Sequence, residues 1–232
     1  MKKSEDVLKV VDISRTYRSG EVTVNALKAV NLTIAQGEFT AIAGPSGSGK
    51  TTLLNIISGL DVPTSGHALL AGRPISEMKG SELSDFRRDH IGFIFQAYNL
   101  IPVLSVKENI EYIMLLQGIG EKERLSRVVS ILEQVGLTGM EDRLPRQLSG
   151  GQQQRVAVAR AMVSGPDIIL ADEPTANLDS HTGASLLNIM RELNETKGMT
   201  FVFSTHDTMI MERAKRLVLL KDGEIVKDEK RQ

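Results

Sequence analysis

Cysteine is absent from the 232 residues, which excludes disulfide staples, thiolate metal sites and a cysteine nucleophile, and suits a reducing compartment. An excess of either charge is also missing. Lys and Arg number 28 against 29 Asp and Glu, for a formal net charge of −1. Such a chain has no electrostatic reason to bind nucleic acid or acidic lipid nonspecifically, and no nucleic-acid partner is expected. No stretch approaches the ~18 apolar residues of a membrane span, and Met1 to Asp6 turns acidic where a signal peptide would become apolar. The chain is therefore expected to be soluble alone and to reach a membrane only through a partner. Internal repeats and low-complexity tracts are lacking too. The length suffices for one large domain burying roughly three quarters of its unfolded surface, and the charged tail from Lys227 to Gln232 reads as a frayed end.

What is present begins with Gly44-Pro45-Ser46-Gly47-Ser48-Gly49-Lys50-Thr51, which fits the phosphate-loop pattern G-x-x-x-x-G-K-[ST]. The apolar run Phe39 to Ala43 supplies a preceding strand, and Thr51-Thr52-Leu53-Leu54-Asn55-Ile56-Ile57 a following helix. Glycines let backbone N–H groups turn inward without Cβ clashes, and the helix N-terminus points its dipole at the phosphates. In such a loop Lys50 reaches the β- and γ-phosphates and the Thr51 hydroxyl takes one position on Mg²⁺. A nucleoside triphosphate is the ligand this pattern implies.

Around that motif the chain alternates. Val7 to Ile13 and Leu32-Thr33-Ile34 suggest a small β layer beside an α/β core. Ser105-Val106-Lys107-Glu108 is a capping box, with Val106, Ile110 and Ile113 following at helical spacing. A second helix carries Leu125, Val128, Val129, Leu132 and Val135, with Gly136 at its end. After Pro166, the strand Ile168 to Ala171, the helical face Leu186, Met190 and Leu193, and the strand Phe201 to Phe203 form a β–α–β unit that implies parallel pairing. Leu217 to Val226 reads as a hairpin about an Asp-Gly turn.

The strand Ile168 to Ala171 delivers Asp172 and Glu173 at its C-terminal end, where ligands bind in open parallel sheets. Asp172 can hold the Mg²⁺ shell, and Glu173, pointing the other way along the strand, can polarise a water aimed at the γ-phosphate. Further motifs carry a resemblance. Leu148-Ser149-Gly150-Gly151-Gln152, with the two motifs above, resembles the signature of the ATP-binding-cassette ATPases. Pro174 to Asp179 resembles that family's loop after the catalytic glutamate, and Ser204-Thr205-His206-Asp207 its switch-histidine segment. Gln96, after Gly92 to Phe95, matches its glutamine loop, and Tyr17 in Ser14-Arg15-Thr16-Tyr17 its adenine-stacking aromatic. Gly59 to Gly66, Arg87-Arg88, Asn99 to Pro102 and Gln152 to Ala157 are similar to the lipoprotein-releasing and macrolide-exporter group.

The resemblance implies an α/β, RecA-like phosphate-loop fold with a mainly parallel sheet, an N-terminal antiparallel β layer and an inserted helical subdomain. It makes the chain one nucleotide-binding domain, with the core in residues 1–96 and 164–232 and the helical part in 97–163. ATP and Mg²⁺ are the implied cofactors. Lys50, Gln96, Glu173 and His206 are the implied catalytic residues, and Thr51, Gln96 and Asp172 the metal contacts. Nucleotide contacts run from Gly44 to Thr52 and take in Tyr17, Ser149, Gly150, Gly151, Gln152 and Asp179. Since Ser149 is itself a good N-cap, the chain offers a second anion-binding helix start. The family's use for it is a head-to-tail homodimer in which Ser149 and Gly151 of one copy close over the ATP held by Lys50 of the other.

The implied role is that of an ATPase subunit on the cytoplasmic face of a membrane, driving a separate permease that moves lipoprotein, peptide or drug-like substrates. The alternative is a cassette that gates a cell-wall hydrolase complex without cargo. A cassette acting on ribosomes or DNA is disfavoured by the charge balance, and a GTPase by Thr196-Lys197-Gly198-Met199, which lacks the aspartate of a guanine-reading motif. Taken alone, Tyr17 is an ordinary strand aromatic, Gln96 a surface amide and Asp179 a helix cap. His67, His90 and His181 have no recognisable partners and read as solvated, and Arg87 and Arg88 as an exposed face.

Overall fold

The computed structural model describes residues 6–231. A long antiparallel hairpin, β1 (Asp6–Ser19) and β2 (Val22–Ala35), precedes β3 (Phe39–Ala43) and α1 (Lys50–Ile57). Next come β4 (Ser65–Leu70), the short β5 (Arg73–Pro74), α2 (Gly80–His90) and β6 (Ile91–Ile94). Three helices follow, α3 (Val106–Leu116), α4 (Glu121–Gln134) and α5 (Gly150–Met162). The chain closes with β7 (Ile168–Asp172), α6 (Ser180–Lys197), β8 (Phe201–Thr205), α7 (Thr208–Arg213), β9 (Arg216–Lys221) and β10 (Glu224–Lys230).

Two sheets result. The antiparallel one runs β2-β1-β4-β5 and the larger one β10-β9-β3-β8-β7-β6, in which every pairing except β10 with β9 is parallel. Every residue of β3 and β8 is buried, which is why these strands are mainly apolar on both faces, with Thr40, Ser204 and Thr205 as buried polar residues among them. Their two faces feed different cores. Phe39, Ala41, Phe201, Phe203, Ile169 and Ala171 pack with α3, α5 and α6. Ile42, Ile168, Leu170, Val202 and Val218 pack with α1 and the antiparallel sheet. Each large apolar side chain so buried contributes about 1.5–3 kcal/mol relative to exposure. This two-sided packing fixes the ends of β3, β7 and β8 against one another, with Ala43 beside Thr205 and Asp172 beside Ser204.

Three expectations need correcting. The tail is not frayed up to Lys230, because β10 stays paired with β9 that far; Gln232 lies outside the described residues. The cause is Arg216, nearly buried, which donates to both oxygens of Asp228 at 2.8 and 2.6 Å, to Glu38 at 2.8 Å and to the Thr33 carbonyl at 2.6 Å. The Arg216 guanidinium holds the Asp228 carboxyl below its usual range. His90 has partners: its Nδ1 lies 2.6 Å from Asp167 Oδ2 and its ring stacks on Phe86 at 4.2 Å. Arg87 is half-buried and donates to the Gly59 carbonyl at 3.1 Å, while Arg88 pairs with Asp85 and Asp89. The Asp-Gly turn forms as expected, with Asp222 and Gly223 at φ 50° and 81°, the conformation of a two-residue hairpin loop of the primed type.

Candidate functional site

At the C-terminal ends of β3, β7 and β8 an open cleft of about 620 Å³ gathers Ser46, Gly47, Gly49, Lys50, Thr51, Thr52, Gln96, Asp172, Glu173 and His206. Gly49 caps α1 at φ 103°, and a Cβ there would stand 2.4 Å from the Ala26 carbonyl oxygen, so both conformation and space demand glycine. Lys50 is buried, its Nζ donating to the carbonyls of Gly44 at 2.7 Å and Pro45 at 3.0 Å. Ser48 is buried as well, with its Oγ lacking a hydrogen-bond partner, and its carbonyl accepts from the Gly223 N–H at 3.1 Å.

Gly44 packs so closely on β9 that a Cβ would fall 2.1 Å from the Leu220 carbonyl oxygen and 2.7 Å from Ser48 Oγ. Gly44→Ala is expected to cost about 1–3 kcal/mol from overpacking. At ~2–4 °C per kcal/mol for a chain of this size, the melting temperature falls by several degrees, and nucleotide binding weakens with it. A thermal scan with and without ATP checks this.

The Thr51 hydroxyl donates toward the Asp172 carboxylate at 3.3–3.4 Å, and the exposed Gln96 lines the same cleft. Hard oxygen donors of this kind fit Mg²⁺. Glu173 has φ 46°, an unusual conformation for a residue with a side chain. Its N–H bonds the Ser204 carbonyl at 2.9 Å. Its Oε2 accepts from Thr205 Oγ1 at 3.0 Å, and its Oε1 lies 2.6 Å from His206 Nδ1.

Tyr17 lies on β1 outside the residues that line the cleft, although its cross-strand neighbour Val24 lines it. The Tyr17 hydroxyl donates to Asp61 at 2.6 Å and the Arg15 guanidinium sits 4.6 Å from the ring centroid. Asp179 caps α6, its carboxylate accepting from the Thr182 hydroxyl at 2.6 Å and the Thr182 N–H at 2.9 Å. Those bonds hold its pKa below the usual range.

Ser149 caps α5 by accepting from the Gln152 N–H at 3.3 Å, while Gln152 Oε1 accepts from the Ser149 N–H at 2.9 Å. Ser149, Gly151 and Gln152 line a second cleft, with Gly136, Arg155 and Thr182, that shares no residue with the first. Gly150 faces the Tyr98 hydroxyl. The fold therefore unites the phosphate loop, the two carboxylates, Gln96 and His206, and leaves the signature turn elsewhere on the same molecule.

Residues that the sequence reading missed also line the first cleft: Asn25, Ala26 and Lys28 of β2, and Asp222 of the terminal hairpin. The Asp-Gly pair was visible as a turn, but its docking against the phosphate loop depends on the β3–β9 pairing. Gln154 was missed too. It is wholly buried and donates to the Pro174 carbonyl at 2.7 Å, directly after Glu173.

Fold and cleft together define a phosphate-loop nucleoside triphosphatase of the parallel-sheet type. Residues 27–176 match the family model described as ABC transporter. The chain belongs to that family, as an ATP-binding-cassette ATPase. It is 45% identical over 228 residues to the ABC transporter ATP-binding protein MJ0796 of Methanocaldococcus jannaschii, covering 97% of each chain. It is 48% identical over 225 residues to the macrolide export ATP-binding/permease protein MacB 2 of Yersinia pestis bv. Antiqua, covering 97% of this chain and 33% of that one; the chain thus spans about a third of the length of that relative. A dimeric structure of MJ0796 in a post-hydrolysis state with ADP and Pi superposes with a TM-score of 0.89 at 44% identity, covering 97% and 99% of the two chains. The cbiO1 protein of Clostridium perfringens, part of the cbiONQ ABC transporter complex, superposes with a TM-score of 0.87 at 30% identity, covering 98% and 89%.

Proposed function

We propose that the chain hydrolyses ATP as one half of a head-to-tail dimer and that opening and closing of the dimer drive a separate membrane permease, which exports or extracts lipoprotein, peptide or drug-like substrates. The observation that carries the reading is the separation of the two clefts. A phosphate loop with its carboxylates stands on one part of the surface and a capped, glycine-rich helix start on another. A second copy can bring that helix start to the γ-phosphate. The dimeric post-hydrolysis structure of MJ0796 and the macrolide-export relatives support the same reading. In this reading the permease is another chain and the ATPase sits on the cytoplasmic face of the membrane; among the described residues no helix is long and apolar enough to cross a membrane.

In the mechanism that follows, backbone N–H groups from Gly44 to Thr52 cradle the phosphates and Lys50 neutralises charge on the β/γ pair. Thr51, Asp172 and Gln96 would hold Mg²⁺, whose charge stabilises the phosphate oxygens. Glu173 accepts a proton from the attacking water as the bond to the leaving phosphate oxygen breaks. His206 turns to the γ-phosphate and fixes the geometry of the attack. Ser149 and Gly151 of the second copy, with Gly150 and Gln152 shaping their turn, close the site, and Asp179 contacts the partner across it. Tyr17 stacks on the adenine. Catalysis is positioning and charge stabilisation, with no covalent protein intermediate.

Phosphate release by the full chain with ATP tests the chemistry. Release should depend on Mg²⁺, falling to background with excess EDTA and recovering when Mg²⁺ is restored. Turnover that persists in EDTA overturns the assignment of Thr51, Gln96 and Asp172.

A further inference from the structure

We propose that Thr205 is a positioning residue for hydrolysis, pinning one oxygen of the Glu173 carboxylate so that the other is free to receive the proton of the attacking water. This rests on the reading of Glu173 as the base.

Thr205 is the last residue of β8, is wholly buried, and pairs with Ala43 at the threshold of the phosphate loop. Its Oγ1 accepts from the Asp207 N–H at 2.9 Å and stands 3.0 Å from Glu173 Oε2. A hydroxyl has a single proton. With the Asp207 N–H directed at the oxygen, that proton points to Glu173, so Thr205 donates to the carboxylate. The donor is held by a strand in the middle of the larger sheet, flanked by β3 and β7.

Asp207 is itself fixed. One of its oxygens accepts from the Met209 N–H at 2.8 Å and the other from Thr175 Oγ1 at 2.8 Å. Thr175 lies two residues beyond Glu173, so the bonds close a ring from the turn after the glutamate, through Asp207 and Thr205, back to its carboxylate. The ring also explains how Glu173 keeps a positive φ, which a residue with a side chain holds only when its surroundings enforce it.

The two oxygens of Glu173 are thereby given different partners. Oε1 meets His206 Nδ1, on an exposed ring that the proposed mechanism turns to the γ-phosphate. Oε2 meets Thr205 Oγ1 at 3.0 Å and, at 3.4 Å, the backbone N–H of His206, neither of which can follow. When the His206 ring leaves, Oε1 becomes available to water while Oε2 stays pinned. A base held this way keeps its aim, and loss of aim by about 1 Å costs on the order of a hundredfold in rate.

The test is steady-state hydrolysis of Mg-ATP by the full chain carrying Thr205→Val, Thr205→Ser, Glu173→Gln, or Thr205→Val with Glu173→Gln. Thr205→Val keeps the shape and loses the hydroxyl; kcat is expected to fall ~10- to 100-fold, with KM for ATP moving less than about twofold. Thr205→Ser restores the donor and most of kcat. Because Thr205 acts through Glu173, the double variant should be no slower than Glu173→Gln alone. Should the valine variant fail to fold, Thr205→Ala against Thr205→Ser carries the same comparison. Wild-type kcat in the hydroxyl-free variants, equal losses in Ser and Ala, or additive losses in the double variant would overturn the proposal. The two readings separate cleanly: normal turnover by Glu173→Gln sinks the base assignment, whereas a dead Glu173→Gln beside an unimpaired Thr205→Val sinks only the role of Thr205.

Discussion

Glu173→Gln is expected to reduce ATP turnover by roughly a hundredfold to ten-thousandfold, the range typical of removing a positioned general base, while leaving ATP affinity near that of the parent. The amide is nearly the same shape as the carboxylate and can still accept from Thr205 Oγ1, which stands 3.0 Å from Oε2 in the parent. The turn that follows should persist, because the Glu173 N–H bond to Ser204 and the Gln154 bond to Pro174 use backbone groups that the substitution leaves alone. What is lost is proton acceptance, together with the carboxylate contact to His206 Nδ1, which lies 2.6 Å from Oε1 in the parent. Single-turnover phosphate release, measured beside equilibrium ATP binding, separates turnover from affinity. Normal turnover would refute the base assignment, and loss of binding as well would show that the substitution disturbs more than the proton.

Lys50→Ala should act earlier in the cycle. The buried ammonium is held by two carbonyls of its own loop, so its direction is set before any phosphate arrives. That is the preorganisation which makes an electrostatic contact effective. Removing it takes away the one side-chain cation of the loop and the ammonium donor to the carbonyls of Gly44 and Pro45. Turnover is expected to fall by on the order of a hundredfold to a thousandfold, and ATP affinity to fall with it, unlike Glu173→Gln. Titration calorimetry with ATP distinguishes the two variants. Undiminished affinity in Lys50→Ala contradicts the cradle.

How much of this was visible in the residues themselves depends on distance along the chain. The phosphate loop, the strand running from Ile168 to the carboxylates, the capping box at Ser105 and the N-cap at Ser149 are local patterns, since each depends on neighbours within a few positions, and each forms where its pattern lies. The parallel pairing was implied by the strand–helix–strand alternation after Pro166, another pattern of neighbouring elements. By contrast, His90 finds Asp167 far along the chain, and the tail becomes β10 through the reach of Arg216 to Asp228. No spacing rule announces either. Asp222 reaches the cleft only because β9 lies beside β3. Thr205 sits next to a histidine that the resemblance had singled out, yet its own part appears only when β7 and β8 are set side by side.

The sharing of each nucleotide between two chains is tested most directly by the mass in solution of the Glu173→Gln chain under saturating Mg-ATP, measured by sedimentation equilibrium with Lys50→Ala as the control. Two chains per particle with ATP, reverting to one when nucleotide is removed and never forming in the control, is the expected result. A particle that stays at one chain while ATP is demonstrably bound would contradict a site completed by Ser149 and Gly151 of a second copy.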